Sequence, residues 1–236
     1  MGDTGPCGPC SEIFYDHGDS LEGSPPEEGK DTGDRFVEIY NIVFMQFNRD
    51  IEGNLKPLPK PSVDTGMGLE RISAVMQGTP DNYQTDLFIP LIKKISELTG
   101  EKDLLNPSLR VIADHLRASC FMISDGIAIG NEGRNYVLRR IIRRALRHAY
   151  KLNSENFYVM SKLATYFSDT YKELYPEIEK NNSFIEKALH EEEEKFGATL
   201  NQGMSLLDEE VKKLKGKVIS GDLAFRLYDT FGFPLD

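Results

Sequence analysis

The chain has 236 residues, of which 39% are hydrophobic, enough for one large domain or two modest ones. Its longest apolar runs, such as residues 42–45, are too short to span a bilayer, and three cysteines are too few for a secreted disulfide scaffold. We therefore expect a cytoplasmic protein with no membrane partner. The net charge of −10 argues against an extended basic surface, so any nucleic-acid site must be a local patch.

The first 34 residues are rich in Gly, Pro, Asp and Ser, which predicts loop with a short strand near residues 13–15. Within them, Cys-Gly-Pro-Cys at residues 7–10 is the tetrapeptide of thioredoxin-like enzymes, so a thiol oxidoreductase is one alternative. That chemistry needs an apolar strand before the cysteines and a helix directly after them, and neither pattern is present. A zinc site would need two more ligands, and His17 is the only nearby candidate. We favour a rigid loop with two small thiols and expect no zinc.

A strand, a glycine turn and a helix are predicted next. Residues 35–48 are dense in aromatic and β-branched side chains, which favours a mostly buried strand. Residues 48–53 predict a hairpin turn, and the prolines within residues 55–61 predict an extended edge or loop segment. From residue 68 to residue 77 the apolar positions have helical spacing, and Gly78 lies where a helix stop is expected.

The junction of this strand and helix contains Asp64, Gly66 and Gly68. Backbone N–H groups at a helix start favour phosphate, whereas an aspartate can hold an ammonium group. Arg71, one turn inside the helix, offers a planar fork suited to phosphate oxygens. An aminoacyl-adenylate carries both an ammonium and a phosphate. The alternative is an N-capping aspartate with a surface arginine.

The remainder of the chain has helical periodicity, with helices predicted over 87–98, 108–124, 136–151, near 155–175 and over 183–215. The change from mixed to all-helical pattern near residue 102 predicts an α+β protein with two domains, 1–101 and 102–236. In the last long helix, the four glutamates at 191–194 are interpreted as a solvated face.

Residues 110–151 form a basic segment, with nine Lys or Arg against three acids. Five of these arginines recur at helical spacing and predict a positive stripe suited to a phosphate backbone. They are Arg139, Arg140, Arg143, Arg144 and Arg147. The alternative is that they form salt bridges with the acidic helices of the same chain.

Several strings resemble one known family. Gly-Leu-Glu-Arg at 68–71 resembles motif 3 of class II aminoacyl-tRNA synthetases, and further strings in matching order resemble the alanyl-tRNA synthetases. These strings are MGDTGPCGPCSE (1–12), EIYNIVFMQF (38–47), PLPKPSVDTG (57–66), RVIADH (110–115), YVLRRIIRR (136–144) and LYDTFGFP (227–234). The resemblance implies a partial class II antiparallel sheet, forming the C-terminal part of an aminoacylation domain, followed by a helical tRNA-recognition domain.

The resemblance also implies the reaction and its ligands, namely ATP-dependent activation of alanine and its transfer to the 3′ end of tRNA(Ala). ATP would bind with Mg²⁺ as the substrate complex. By motif position, Asp64 binds the α-amino group of alanine, Gly66 lines the same pocket, and Asn41 and Val43 contact the amino acid, with Val43 against the methyl group. Arg71 is the catalytic arginine on ATP phosphate, beside Gly68.

Two positions depart from the family pattern, which more often has Trp at Tyr40 and Gly at Asn135. In the helical domain, the resemblance implies that Asn131 and Asp229 read a G·U pair in the acceptor stem of tRNA(Ala). For Asp229 the alternative is an ordinary acid at a helix end. Motifs 1 and 2 have no counterpart, so we expect the isolated chain not to activate alanine. A non-catalytic module that binds the acceptor stem is the alternative function.

Overall fold

A computed structural model describes residues 3–27, 30–155, 157–214, 218–231 and 233, without the side chain of Asp229. The chain divides into two compact units, residues 1–89 and residues 90–236. The first contains an antiparallel sheet and the second is helical, which confirms the predicted α+β class. The assignment of 1–101 and 102–236 as functional domains stays a prediction.

The sheet is built around one long central strand, β3. Its strands are β1 (Gly5–Cys7), β2 (Cys10–Asp16), β3 (Phe36–Arg49) and β4 (Leu55–Met67), and all neighbours are antiparallel. β4 pairs along one side of β3, while β2 and β1 pair with successive parts of its other side. The predicted strand is confirmed, but it is not mostly buried, since Val43 is the one buried residue among those of β3.

The edge strand β4 runs without a break through a proline-rich segment. Pro57, Pro59 and Pro61 all lie in this strand, and in the described residues β4 pairs only with β3. The register between the two strands shifts between Pro57 and Ser62. The predicted extended edge is confirmed. The strand continues to Met67, so Asp64 lies inside the strand and not at its end.

The Cys-Gly-Pro-Cys loop lies against β3. The backbone N–H of Phe44 donates to the carbonyl of Pro9 at 2.8 Å, and a Cβ on Gly8 would come within 1.8 Å of the Phe44 carbonyl oxygen. Only glycine permits this approach. Strand β2 begins at Cys10, so the thiol oxidoreductase alternative lacks the helix that its mechanism requires.

A short helix follows the sheet. Helix α1 (Leu69–Met76) begins two residues after β4 and ends before Gly78, whose φ of +69° is the left-handed conformation of a helix stop. A 3-10 turn at Asn82–Gln84 completes the first unit. The predicted strand, glycine turn and helix are confirmed.

Helices α2 to α7 form the second unit. They are α2 (Ile89–Thr99), α3 (Pro107–Ser124), α4 (Gly133–Leu152), α5 (Met160–Tyr171), α6 (Pro176–Lys213) and α7 (Gly221–Asp229). The apolar faces of α3 to α6 meet in one core, in which Leu116, Ile142, Leu146, Phe167 and Phe196 are fully buried. Among the described helices, none is both long and apolar enough to cross a bilayer.

The glutamate run of α6 departs from the sequence interpretation. Glu192 and Glu193 are 2% and 0% exposed, so the solvated face is wrong for these two residues. Successive helical residues are about 100° apart, so four in a row cannot all lie on one face. The Glu193 carboxylate accepts hydrogen bonds from the backbone N–H of Met160 at 2.6 Å and the Ser161 hydroxyl at 2.5 Å, and thereby caps α5.

Candidate functional site

Strands β3 and β4 bring the four predicted amino-acid ligands together. Asn41 lies directly opposite Gly66, and Val43 lies directly opposite Asp64. Alternate residues of a strand and their cross-strand partners point to the same face of the sheet, with neighbouring Cβ atoms about 5 Å apart. The four residues therefore form one square patch, which we call the sheet-face patch.

The sheet-face patch combines an apolar floor, a carboxylate and an open side. Val43 is 7% exposed, whereas Asp64 and Gly66 are exposed. A Cβ built on Gly66 would meet no atom within 4 Å, so the space above it is open. Asp64 also lines a groove of about 710 Å³, together with the Cys-Gly-Pro-Cys loop and Met45. Of the four patch residues, Asp64 is the one that lines this groove.

Strand β2 adds two residues that the sequence interpretation did not include. Cys10 lies opposite Val43, and Glu12 lies opposite Asn41. The Asn41 side-chain Nδ2 donates to the Cys10 sulfur and to the Glu12 carboxylate, both at 3.2 Å. A carboxylate only accepts, so the amide must turn its NH₂ group to β2. The Asn41 Oδ1 is then oriented to accept a hydrogen bond from a ligand.

The predicted phosphate ligands lie at the start of α1. Gly68 is the N-cap residue of α1 and has no side chain with which to cap the helix. The guanidinium of Arg71 donates through Nη1 to the Glu38 carbonyl oxygen at 2.7 Å and lies 3.6 Å from the Glu38 carboxylate. Both contacts use one corner of the arginine fork. The side chain remains about half exposed, at 47%.

The predicted arginine stripe of α4 divides into two parts. Arg139 and Arg143 turn towards α6, where their Nε atoms lie 3.4 Å and 2.7 Å from the Glu192 carboxylate. The intramolecular alternative therefore holds for these two residues. Arg140 is exposed and stacks near the Tyr136 ring, 5.9 Å from its centroid. Phosphate binding by the stripe stays a prediction.

The C-terminal half of α4 is more enclosed. Arg144 and Arg147 are half-buried beside His148, whose Nδ1 lies 3.0 Å from the Ser108 hydroxyl. Burial and these neighbouring cations lower the pKa of His148 to about 4. This part of the stripe therefore holds its positive charge without a contribution from the histidine at neutral pH.

The two residues predicted to read RNA lie far apart in the sequence of the helical unit. Asn131 is exposed, just before α4, and its Oδ1 accepts a hydrogen bond from Nη1 of Arg139. Asp229 ends α7, but its side chain lies outside the described residues. The neighbouring Tyr228 hydroxyl lies 3.2 Å from that of Tyr136, which brings α7 against α4.

Within the described residues, His, Cys, Asp and Glu side chains form no group of three or more suited to a metal ion. The expectation of no zinc stays a prediction.

Comparison with known proteins decides the family. The family model for class II (A) tRNA synthetases matches residues 1–236. This chain belongs to that family. The similar class II synthetases include alanine--tRNA ligases from Hydrogenovibrio crunogenus (59% identical), Psychromonas ingrahamii (57%) and Idiomarina loihiensis (54%). Each match covers all of this chain but only 27% of the relative's length.

Two site residues of this class II synthetase chain could have been found from its sequence. Cys10 and Glu12 are two positions apart, so a strand assignment at 10–16 would have placed both on one face.

Proposed function

We propose that the chain forms part of an alanine--tRNA ligase, which activates alanine with ATP and transfers it to the 3′ end of tRNA(Ala). The observation that supports this best is the sheet-face patch, in which the Asn41–Gly66 and Val43–Asp64 pairs meet. Family membership and the names of the relatives support the same reaction.

In this proposal, alanine binds on the sheet-face patch with its ammonium group between two acceptors. The Asp64 carboxylate supplies the opposite charge, and the Asn41 Oδ1 accepts a second N–H, because Glu12 and Cys10 hold the other end of the amide. Val43 provides an apolar floor for the methyl group, and the absence of a side chain at Gly66 leaves room above it. The patch therefore suits a small amino acid.

ATP, bound with Mg²⁺ as the substrate complex, is proposed to place its phosphate near Gly68 and Arg71. The alanine carboxylate attacks the α-phosphorus, a new carboxyl oxygen–phosphorus bond forms, and pyrophosphate leaves. Nη1 of Arg71 is anchored at Glu38, so the remaining donors of the fork can stabilise charge on the phosphate oxygens. In the second step a terminal ribose hydroxyl of tRNA attacks the carbonyl carbon and AMP leaves.

The helical unit is proposed to bind the acceptor stem of tRNA(Ala). Asn131 and Asp229 read a G·U pair, while Arg139, Arg140, Arg143, Arg144 and Arg147 supply positive charge to the phosphate backbone. Arg140 is the exposed member of that set and is the best placed for direct contact. The same proposal includes a cytoplasmic location.

The complete reaction is proposed for the full-length protein, since the chain spans 27% of its relatives' length. The isolated 236-residue chain is expected not to activate alanine. A second candidate function is that of a non-catalytic acceptor-stem-binding module. It is favoured by the separate compactness of residues 90–236, which include the basic helix α4.

The test of this function is an Asp64→Asn substitution in the full-length protein. Alanine-dependent ATP–pyrophosphate exchange is measured over a range of alanine concentrations. Loss of a charged hydrogen bond costs about 2 kcal/mol, so the KM for alanine should rise about 30-fold. Asp34→Asn, at an exposed aspartate outside the patch, is the matched control. An unchanged KM for Asp64→Asn would contradict the proposed alanine site.

A further inference from the structure

Glu192 is a buried carboxylate that holds two arginines of α4. It is 2% exposed, and its Oε1 accepts a hydrogen bond from Arg143 Nε at 2.7 Å. The Nε of Arg139 lies 3.4 Å from the same oxygen, which is an ion-pair contact without a hydrogen bond from that nitrogen. A carboxylate at this depth is costly unless it is paired, so the two guanidinium groups are fixed in place. The side chain of Arg139 is itself only 18% exposed.

Arg139 in turn fixes the orientation of the Asn131 side chain. Its Nε side faces Glu192, and its Nη1 donates to the Oδ1 of Asn131. A guanidinium carries donors and no acceptor, so the Asn131 amide must present its oxygen to Arg139. The Nδ2 group, with two N–H donors, then points away from the arginine. Because Asn131 is exposed, this donor end is available to a ligand.

We propose that Glu192 and Arg139 are positioning residues that fix Asn131 as a hydrogen-bond donor towards an acceptor atom of an RNA acceptor stem. This inference rests on the proposed function of the helical unit. The shallow minor groove of an RNA helix displays such acceptors as base carbonyl oxygens, ring nitrogens and 2′-hydroxyl groups. The arginine stripe thus has two roles, since Arg139 orients Asn131 while exposed Arg140 can meet the RNA backbone.

The experiment compares the affinity of the chain for two RNA hairpins that carry the tRNA(Ala) acceptor stem, one with the G·U pair and one with G·C in its place. Fluorescence anisotropy at fixed salt gives the ratio of the two dissociation constants. The unsubstituted chain should prefer the G·U hairpin about tenfold. Glu192→Gln should bring the ratio close to one, whereas Glu191→Gln, the same charge change at an exposed neighbour, should leave it unchanged.

A purely structural role for Glu192 would alter overall affinity or folding without this change in ratio. Arg139→Lys is the second variant, since it keeps the charge but cannot hold Glu192 and Asn131 at once. Circular dichroism shows whether each variant is folded. If Asn131→Ala removes the preference while folded Glu192→Gln and Arg139→Lys keep it, the positioning proposal fails and the proposed function stands. If the unsubstituted chain has no preference, both fail.

A further substitution tests whether Asn131 acts as a hydrogen-bond donor. Asn131→Asp keeps the shape and the contact with Arg139 but replaces the Nδ2 donors with an acceptor. Its G·U preference should be lost as fully as in Asn131→Ala. A preference that survives in Asn131→Asp would mean that the RNA group is a donor, and would overturn the assignment of Asn131 as the donor.

Discussion

Removal of the Glu193 side chain tests how the first turn of α5 is held. Glu193 is fully buried, and its Oε1 accepts hydrogen bonds from the backbone N–H groups of Met160 and Ser161 at 2.6 and 3.3 Å. Its Oε2 accepts a hydrogen bond from the Ser161 hydroxyl at 2.5 Å. First-turn amides have no partner within their own helix, and burial keeps water from replacing the carboxylate.

Glu193→Ala should lower the free energy of unfolding by about 3–5 kcal/mol, because each buried donor left without a partner costs about 1–3 kcal/mol. Glu193→Gln should cost about 1 kcal/mol or less, since its amide oxygen can accept both backbone bonds and its NH₂ group can donate to the Ser161 hydroxyl. Urea denaturation followed by far-ultraviolet circular dichroism measures both values.

The contribution of Glu193 to folding stability depends on pH in a definite direction. Burial raises the pKa of Glu193 above its usual value of 4.5, while the hydrogen bonds at α5 oppose that shift. The folded state therefore binds the Glu193 carboxyl proton more tightly than the unfolded state does. The stability that this proton contributes to the fold is fully present below pH 4.5 and is lost as pH rises through the folded-state pKa of Glu193. Relative to Glu193→Gln, the unsubstituted chain should become less stable over that range.

Glu194→Ala is the matched control, because Glu194 is the next residue of α6 and its side chain is 66% exposed. It should change stability by no more than about 0.5 kcal/mol. Equal losses from Glu193→Gln and Glu193→Ala would refute the reasoning, since the negative charge rather than the hydrogen bonds would then hold the turn. A loss from Glu193→Ala as small as the control's would show that the cap is dispensable.

Three further predictions concern the site and its surroundings. In the full-length protein, Gly66→Ala should raise the KM for alanine about tenfold without lowering Tm, because the added methyl group enters open space above the patch. The control Gly221→Ala, where a Cβ also meets open space, should change neither value. An unchanged KM in Gly66→Ala would place alanine elsewhere. A thiol reagent should label exposed Cys10 well before Cys120, whose pKa is raised by complete burial; equal rates, read by mass spectrometry, would contradict this. Burial lowers the pKa of His148 to about 4, so its NMR titration should have a midpoint near pH 4. Its neutral form should contribute stability that is present above pH 6.5 and lost as pH falls to 4. A midpoint near 6.5 would refute the burial argument.

Local patterns in the sequence determined most elements of secondary structure. The dense β-branched and aromatic residues of β3 predicted its extent to within one residue at each end, and helical spacing with Gly78 predicted α1. These features depend on neighbours a few residues apart, so they can be read without tertiary contacts. β1 and most of β2 were not predicted, because they are ordered by pairing with residues of β3 that lie 20 to 44 positions away in the chain.

The composition of the candidate site was also partly determined by the sequence. The sequence motifs singled out Asp64 and Asn41. They did not show that Cys10 contacts Asn41, because the register of β2 on β3 decides that contact. Only the tertiary structure distinguished Glu192 and Glu193 from the exposed glutamates on either side. A run of like charges has no preferred side until the packing of α6 against α4 and α5 selects one, and burial then requires the partners that the structure provides.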